Sequence, residues 1–117
     1  MLSTTGFRRG DVGLVNFPFT EASNQMRRPV VVLSSESYHL GRREVIVAAV
    51  TSNTGRLLAG DSLIADWESA GLLFPSVVTG ILRTIRQAMM QRRLGSLSAR
   101  DMDTVEEAVR IILGLDG

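Results

Sequence analysis

Two β runs constrain this chain more than anything else in it. The first is Arg27-Arg28-Pro29-Val30-Val31-Val32-Leu33-Ser34-Ser35 and the second is Glu44-Val45-Ile46-Val47-Ala48-Ala49-Val50-Thr51-Ser52. Each is apolar along its length, with polar residues at one end. The first opens on a guanidinium and the second closes on hydroxyls. Paired antiparallel, the start of one lies near the finish of the other. Arg28 and Thr51 then share one edge of a sheet. An arginine beside a hydroxyl on rigid strands is a ready site for a phosphate. Taken alone, the same residues also fit an exposed strand-end arginine and a threonine chosen for β propensity.

The rest of the chain supplies partners for these runs. Gly10-Asp11 signals a turn, and Val12 to Phe17 reads as a first strand that Pro18 ends. Thr20 to Arg27 is a polar loop. Pro29 then opens the second strand, at a position where a missing donor is tolerated. Glu44 to Val50 is apolar almost throughout, which predicts cover on both faces. Ser34 to Arg43 connects the two runs and Asn53 to Gly60 is a loop with two glycines. Asp61 to Ala65 reads as a short strand and Asp66 to Gly71 as a turn. Pro75 to Gly80 and Ile81 to Ile85 read as two strands bent at Gly80; Ala88 to Leu94 fits no single pattern. Ser98 opens the one clear helix, with Asp101 giving a variant of the capping box. Met102, Val105, Val109 and Ile112 form its apolar stripe. Five or more short strands and one terminal helix predict a small curled barrel with a helix packed on it, as one domain over residues 1–117.

Composition removes several chemistries. Of 117 residues, 44% are hydrophobic, enough for a single core, and the absence of cysteine excludes disulfides, thiol catalysis and thiolate metal sites. No apolar run approaches the roughly 18 residues a membrane span needs, and Met1 to Asp11 lacks the apolar stretch of a signal peptide. A soluble cytoplasmic protein is the expectation. Net charge is only +1, but all 13 basic residues are arginine. Residues 1–60 carry a balance of +3 and residues 98–117 a balance of −3, so the chain is basic at its front and acidic in its tail.

The remaining candidates are weaker. His39 stands alone in a loop with no carboxylate to orient it, and reads as a surface histidine. Gly55 to Ser62 lacks the lysine of a phosphate loop. Carboxylates are scattered, so no metal site is expected. Trp67 reads as a hydrophobic anchor.

Five segments in order carry a resemblance: Arg9-Gly10-Asp11-Val12, Arg28-Pro29-Val30-Val31-Val32, Val47-Ala48-Ala49-Val50-Thr51-Ser52, Pro75-Ser76-Val77-Val78 and Leu94-Gly95-Ser96-Leu97-Ser98. Over about residues 8 to 115 the chain resembles the MazF/PemK family of toxin endoribonucleases. The resemblance implies a mainly β fold with a C-terminal helix (α+β), an SH3-like barrel assembled as a homodimer. It implies metal-independent, sequence-selective cleavage of single-stranded RNA, often messenger RNA, through attack by a ribose 2′-hydroxyl. No cofactor is expected, and a small antitoxin would inhibit two sites across the dimer groove. The family's arginine before the proline falls on Arg28, its threonine after the central strand on Thr51, and its loop glutamine near Gln25. Arg28 and Thr51 are the expected catalytic residues; Phe17, Gln25, Ser52 and Asn53 are the expected RNA-binding residues.

One departure stands out. Some members carry a basic residue directly after the strand of Ser76-Val77-Val78, and an acidic residue two further on. Thr79 and Ile81 stand there, so acid–base chemistry built on that pair is not carried over. Arg83 or Arg86 offers an alternative nearby charge. Two other functions stay open: a non-enzymatic toxin on the same fold that poisons DNA gyrase, and an SH3-like interaction module. The presence of Arg28 and Thr51 favours the nuclease.

Overall fold

Val30, Val31 and Val32 are all 0% exposed, although successive side chains of a strand point to opposite faces. The sheet that holds them is therefore covered on both sides. A computed structural model of the chain describes residues 6–18 and 25–115. The order is β1 (Asp11–Pro18), β2 (Gln25–Val32), α1 (Glu36–Gly41), β3 (Glu44–Thr51), β4 (Ser62–Leu63), β5 (Val77–Arg86), a 3₁₀ turn (Gln87–Met89), β6 (Met90–Ser96) and α2 (Ala99–Leu113). The strands form one antiparallel six-stranded sheet in the order β4-β5-β3-β2-β1-β6.

The apolar runs of β2 and β3 occupy its centre. Val31, Ala48 and Val50 enter one core with Val12, Ile64, Val78 and Val105. Val30, Val32, Val45 and Val47 enter a second core with Phe7, Val15, Ile85 and Met90. Burying each such valine stabilises the fold by about 1.5 to 3 kcal/mol relative to exposure. The doubly covered sheet expected from β3 is thus present, and the architecture is the expected mainly β fold with a C-terminal helix.

The apolar stripe of α2 packs as its spacing predicts over Met102, Val105 and Val109, while Ile112 at its end is 37% exposed. Val105 is buried in the first core, with Met102 and Val109 packed against it. Trp67 packs there too, as a hydrophobic anchor. Ser98 caps the helix, accepting from the Asp101 N–H at 3.3 Å. The capping box is only half formed, however. The Asp101 carboxylate does not reach back to Ser98; it accepts from the N–H groups of Ala65 and Asp66, at 2.9 and 2.8 Å. Asp101 is a tie between the helix and the segment after β4.

That segment also curls the sheet. Ala70 and Gly71 lie directly against Leu94 and Gly95 of β6, so the strands at the two ends of the sheet are drawn together. The approach is backbone to backbone: a Cβ on Gly95 would stand 2.5 Å from the Ala70 carbonyl oxygen. Gly71 adopts φ +87°, a second reason for glycine there.

Several boundaries differ from the sequence expectation. Pro18 pairs with Gln25, and Pro29 pairs with Leu14 inside β2 rather than opening it. The β2–β3 ladder starts only at Val30, so Pro29 has an unladdered side where a missing donor costs little. Residues 34–43 contain the short helix α1. The two strands expected around Gly80 are one strand, β5, with an irregularity opposite Ala49. Residues 88–94 split between the 3₁₀ turn and β6.

His39 is the clearest correction. It is 3% exposed, not a surface group. Its Nε2 lies 2.6 Å from Ser34 Oγ, which also accepts the Ile46 N–H at 2.9 Å. Burial lowers its pKa, against an opposing pull from the Glu36 charge. Nearby, the buried Gln87 amide donates to the carbonyls of His39, Arg42 and Glu44 at 3.0, 2.9 and 3.0 Å. Together these bonds fasten α1 to the start of β3.

Candidate active site

The β2–β3 register decides where the two expected catalytic residues go. Val30 pairs with Ala49 and Val31 with Ala48. Continuing that register by two residues sets Arg28 across from Thr51. Both line one cavity of about 660 Å³ at the end of the central strands. Arg28 is half-buried, and Thr51 ends β3 with its side chain partly exposed.

The loop after β3 is organised by the same threonine. Thr51 Oγ1 accepts the Asn53 N–H at 3.1 Å, and Asn53 Oδ1 accepts the Gly55 N–H at 3.2 Å. These are side-chain turns of the kind that let short polar residues shape a loop. The Thr51 hydroxyl keeps its own proton available to donate. Asn53 and Arg56 of this loop also line the cavity.

The far wall comes from the irregularity in β5. Val50 pairs with Val78 and Ala48 with Leu82, so Ala49 faces residues 79–81. Thr79 Oγ1 donates to the Ala49 carbonyl at 2.8 Å and accepts the Ile81 N–H at 3.2 Å, which holds the irregular stretch in place. Thr79, Gly80 and Ile81 all line the cavity. Ile81 is 56% exposed there. Asp61 closes the arrangement. One carboxylate oxygen accepts the Gly80 N–H at 3.0 Å and the other the Leu58 N–H at 2.8 Å.

The cavity therefore brings together Arg28, Thr51 and Asn53 from the set expected on sequence. Ser52 is exposed and is not part of the lining. Phe17 and Gln25 sit on β1 and β2, but their side chains lie outside the described residues. Arg83 and Arg86, the expected alternative charges, pair with Val47 and Glu44. Neither lines the cavity; Arg56 does. Sequence reading passed over Arg56, Asp61 and the apolar Leu58 because their place depends on how the loop folds back onto β5. The one local signal is an arginine in a glycine-bearing loop just after Thr51.

Chemically, the cavity offers two guanidiniums, an amide and two hydroxyls around one space, the Thr79 hydroxyl already engaged with backbone. Among the described residues its lining carries a single carboxylate, Asp61, already engaged by two backbone donors. Among the described residues no group of three or more His, Cys, Asp or Glu side chains is placed to hold a metal ion. No helix among them is long and apolar enough to cross a membrane.

Comparison with known proteins identifies the family and the fold. A family model described as a PemK-like, MazF-like toxin of a type II toxin–antitoxin system matches residues 8–113. The fold is similar to Mycobacterium tuberculosis toxin MazF-mt6, with a TM-score of 0.74 and 27% identity over 92% of this chain and 99% of that one. A structure described as an Mtb toxin has 31% identity and a TM-score of 0.64, covering 73% of this chain and 91% of that one. An endoribonuclease in complex with its cognate antitoxin, from a mycobacterial species, has a TM-score of 0.76 over 94% of this chain and 97% of that one. At 17% identity that last likeness concerns the fold alone. With the family model covering all but the two ends, this chain belongs to the PemK-like, MazF-like toxins of type II toxin–antitoxin systems.

Proposed function

We propose that this toxin is a metal-independent, sequence-selective endoribonuclease acting on single-stranded RNA, messenger RNA in particular. The observation that carries the reading is the meeting of Arg28 and Thr51 in one cavity. The ribose 2′-oxygen attacks the adjacent phosphorus and gives up its proton. The bond from phosphorus to the 5′-oxygen breaks, and that oxygen takes up a proton. The products are a 2′,3′-cyclic phosphate and a free 5′-hydroxyl.

Negative charge grows on the non-bridging phosphate oxygens as the new bond forms. The Arg28 guanidinium meets two such oxygens with a planar fork, and the Thr51 hydroxyl donates to one of them. Arginine stays protonated in proteins, so Arg28 acts as an electrostatic group and not as a base. Single-stranded RNA suits the site because its unstacked bases can be splayed and read at their edges. Asn53, Leu58 and Ile81 line the same cavity, and in this reading they receive a base flanking the phosphate. As partners we infer a second copy of the chain, forming a homodimer, and a cognate antitoxin that covers the cavity.

Metal independence is supported by the donors that the described residues place in the cavity, two guanidiniums beside one engaged carboxylate. The test is induced expression followed by mapping of RNA ends, with cleavage by the purified chain in excess EDTA. Cuts at one recurring sequence that persist in EDTA are expected. Activity lost to the chelator and restored by magnesium would overturn the mechanism. Intact RNA with broken DNA would instead support the gyrase route.

A further inference from the structure

Arg56 has no role in the reaction as written, yet it lines the same cavity as Arg28 and Thr51. It stands between two fastened points of its loop. On one side Asn53 Oδ1 holds the Gly55 N–H. On the other, Asp61 holds the Leu58 N–H while its second oxygen takes the Gly80 N–H of β5. The backbone on both sides of Arg56 is thus tied to the walls of the cavity. The one carboxylate that the described residues bring to the lining is spent on those ties. Among the described residues Arg56 forms none of the ion pairs found elsewhere on the chain. An exposed guanidinium with no carboxylate partner, on a braced loop, facing a cavity with a second guanidinium, is arranged for an anion.

The size of the cavity sharpens this. At about 660 Å³ it holds more than one phosphate group. Arg28 and Thr51 satisfy the oxygens of a single phosphate between them. A strand of RNA carries another phosphate one nucleotide away, and Arg56 is the second guanidinium lining the space it would need.

We propose that Arg56 is a second phosphate-binding residue, which holds a phosphate neighbouring the scissile one and acts on RNA binding instead of on the chemical step. The inference rests on the nuclease reading for its substrate, and its test is built to fail separately. The probe for binding is a single-stranded oligonucleotide of the mapped sequence with a 2′-deoxyribose at the cut site, which cannot be cleaved. Its affinity is measured for the parent, Arg56→Ala and Arg56→Lys across a series of salt concentrations. Cleavage of the all-ribose oligonucleotide is measured at limiting and at saturating concentration.

Arg56→Ala is expected to weaken binding by about tenfold at low salt. It should also flatten the slope of log affinity against log salt by about 0.7, the share of one phosphate contact on a single strand. Cleavage should drop with affinity at limiting RNA and recover at saturation. Arg56→Lys should keep the parental salt slope, because the charge remains. Parental affinity and slope in Arg56→Ala would overturn the proposal. So would a loss confined to the saturated rate, which would assign Arg56 to the chemical step. Cuts mapped in cells that the purified parent fails to make in an RNA it binds would sink the nuclease reading alone, since the binding arm still reports on Arg56.

Discussion

Arg28 and Thr51 come from neighbouring strands, and their side chains face the cavity instead of a core. In the proposed mechanism, truncating either removes a donor to the phosphate. Loss of one preorganised donor of this kind lowers the chemical rate by about 100- to 1000-fold. Arg28→Ala and Thr51→Ala are each expected to show that loss in single-turnover cleavage of a fluorescent RNA. The cost in stability should stay near 1 kcal/mol, as for substitutions away from a core. Arg28→Lys should rescue poorly, because an ammonium keeps the charge but not the fork. A folded Arg28→Ala that cuts at the parental rate would remove Arg28 from the mechanism. This pair was legible in the sequence because antiparallel register is arithmetic once two runs are recognised as partners. Arg56 was not, since its position depends on the Asp61 carboxylate reaching backbone on both β5 and its own loop. His39 was misjudged for a related reason. Its partner is the hydroxyl of Ser34, five residues back, and a search for a neighbouring carboxylate passes over it.

Among the elements, α2 gave itself away most fully. Its stripe of Met102, Val105 and Val109 packs as the spacing requires, and Gly114 caps its end at φ 71°. Its first turn did not. Asp101 looked like a cap for its own helix, but it is 4% exposed and spends its carboxylate on the N–H groups of Ala65 and Asp66. Local spacing carries no information about a partner some 35 residues away. Asp101→Ala should therefore cost about 2 kcal/mol, because it removes bonds to a charged acceptor and leaves half-buried donors behind. Ser98→Ala removes the cap and a hydroxyl that donates to the partly exposed Asp66 carboxylate at 2.6 Å, and should cost about 1 kcal/mol. Urea unfolding of both variants checks the order; equal midpoints would show that Asp101 is only a cap. The strands were harder to bound. Pro29 lies inside β2 because only one side of the strand is laddered there. Gly80 bends β5 without ending it because Thr79 bridges the irregular stretch back to Ala49.

Among the described residues, His39 and Asp66 both make the molecule acid-sensitive. Burial lowers the pKa of His39, so the unfolded chain binds that proton more readily than the folded one. Its contribution is complete above the ordinary value of 6.5 and declines as the pH falls below it. Arg100, and after it Ser98, hold the Asp66 carboxyl well below the usual carboxylate range. That contribution is present above the ordinary carboxylate value and is lost only as the pH falls through the lower, folded one. The melting temperature should fall first between pH 7 and pH 5.5. His39→Gln should lower it at pH 7 and flatten that first decline; an unchanged slope would assign it elsewhere. The expectation of a curled sheet under a terminal helix was met at this scale, because alternation and turn residues fix strands locally. The curl itself depends on Gly71 meeting Gly95, which no local pattern announces. Topology also sets a timetable. Val12 pairs with Val31 on one side and with Gly95 on the other. During synthesis β1 meets β2 early, while its other edge waits for a strand near the end of the chain. The residues lining the cavity, Arg28 to Ile81, have all been translated by then. A ribosome making this toxin thus carries every group of the site before the sheet that aligns them can close.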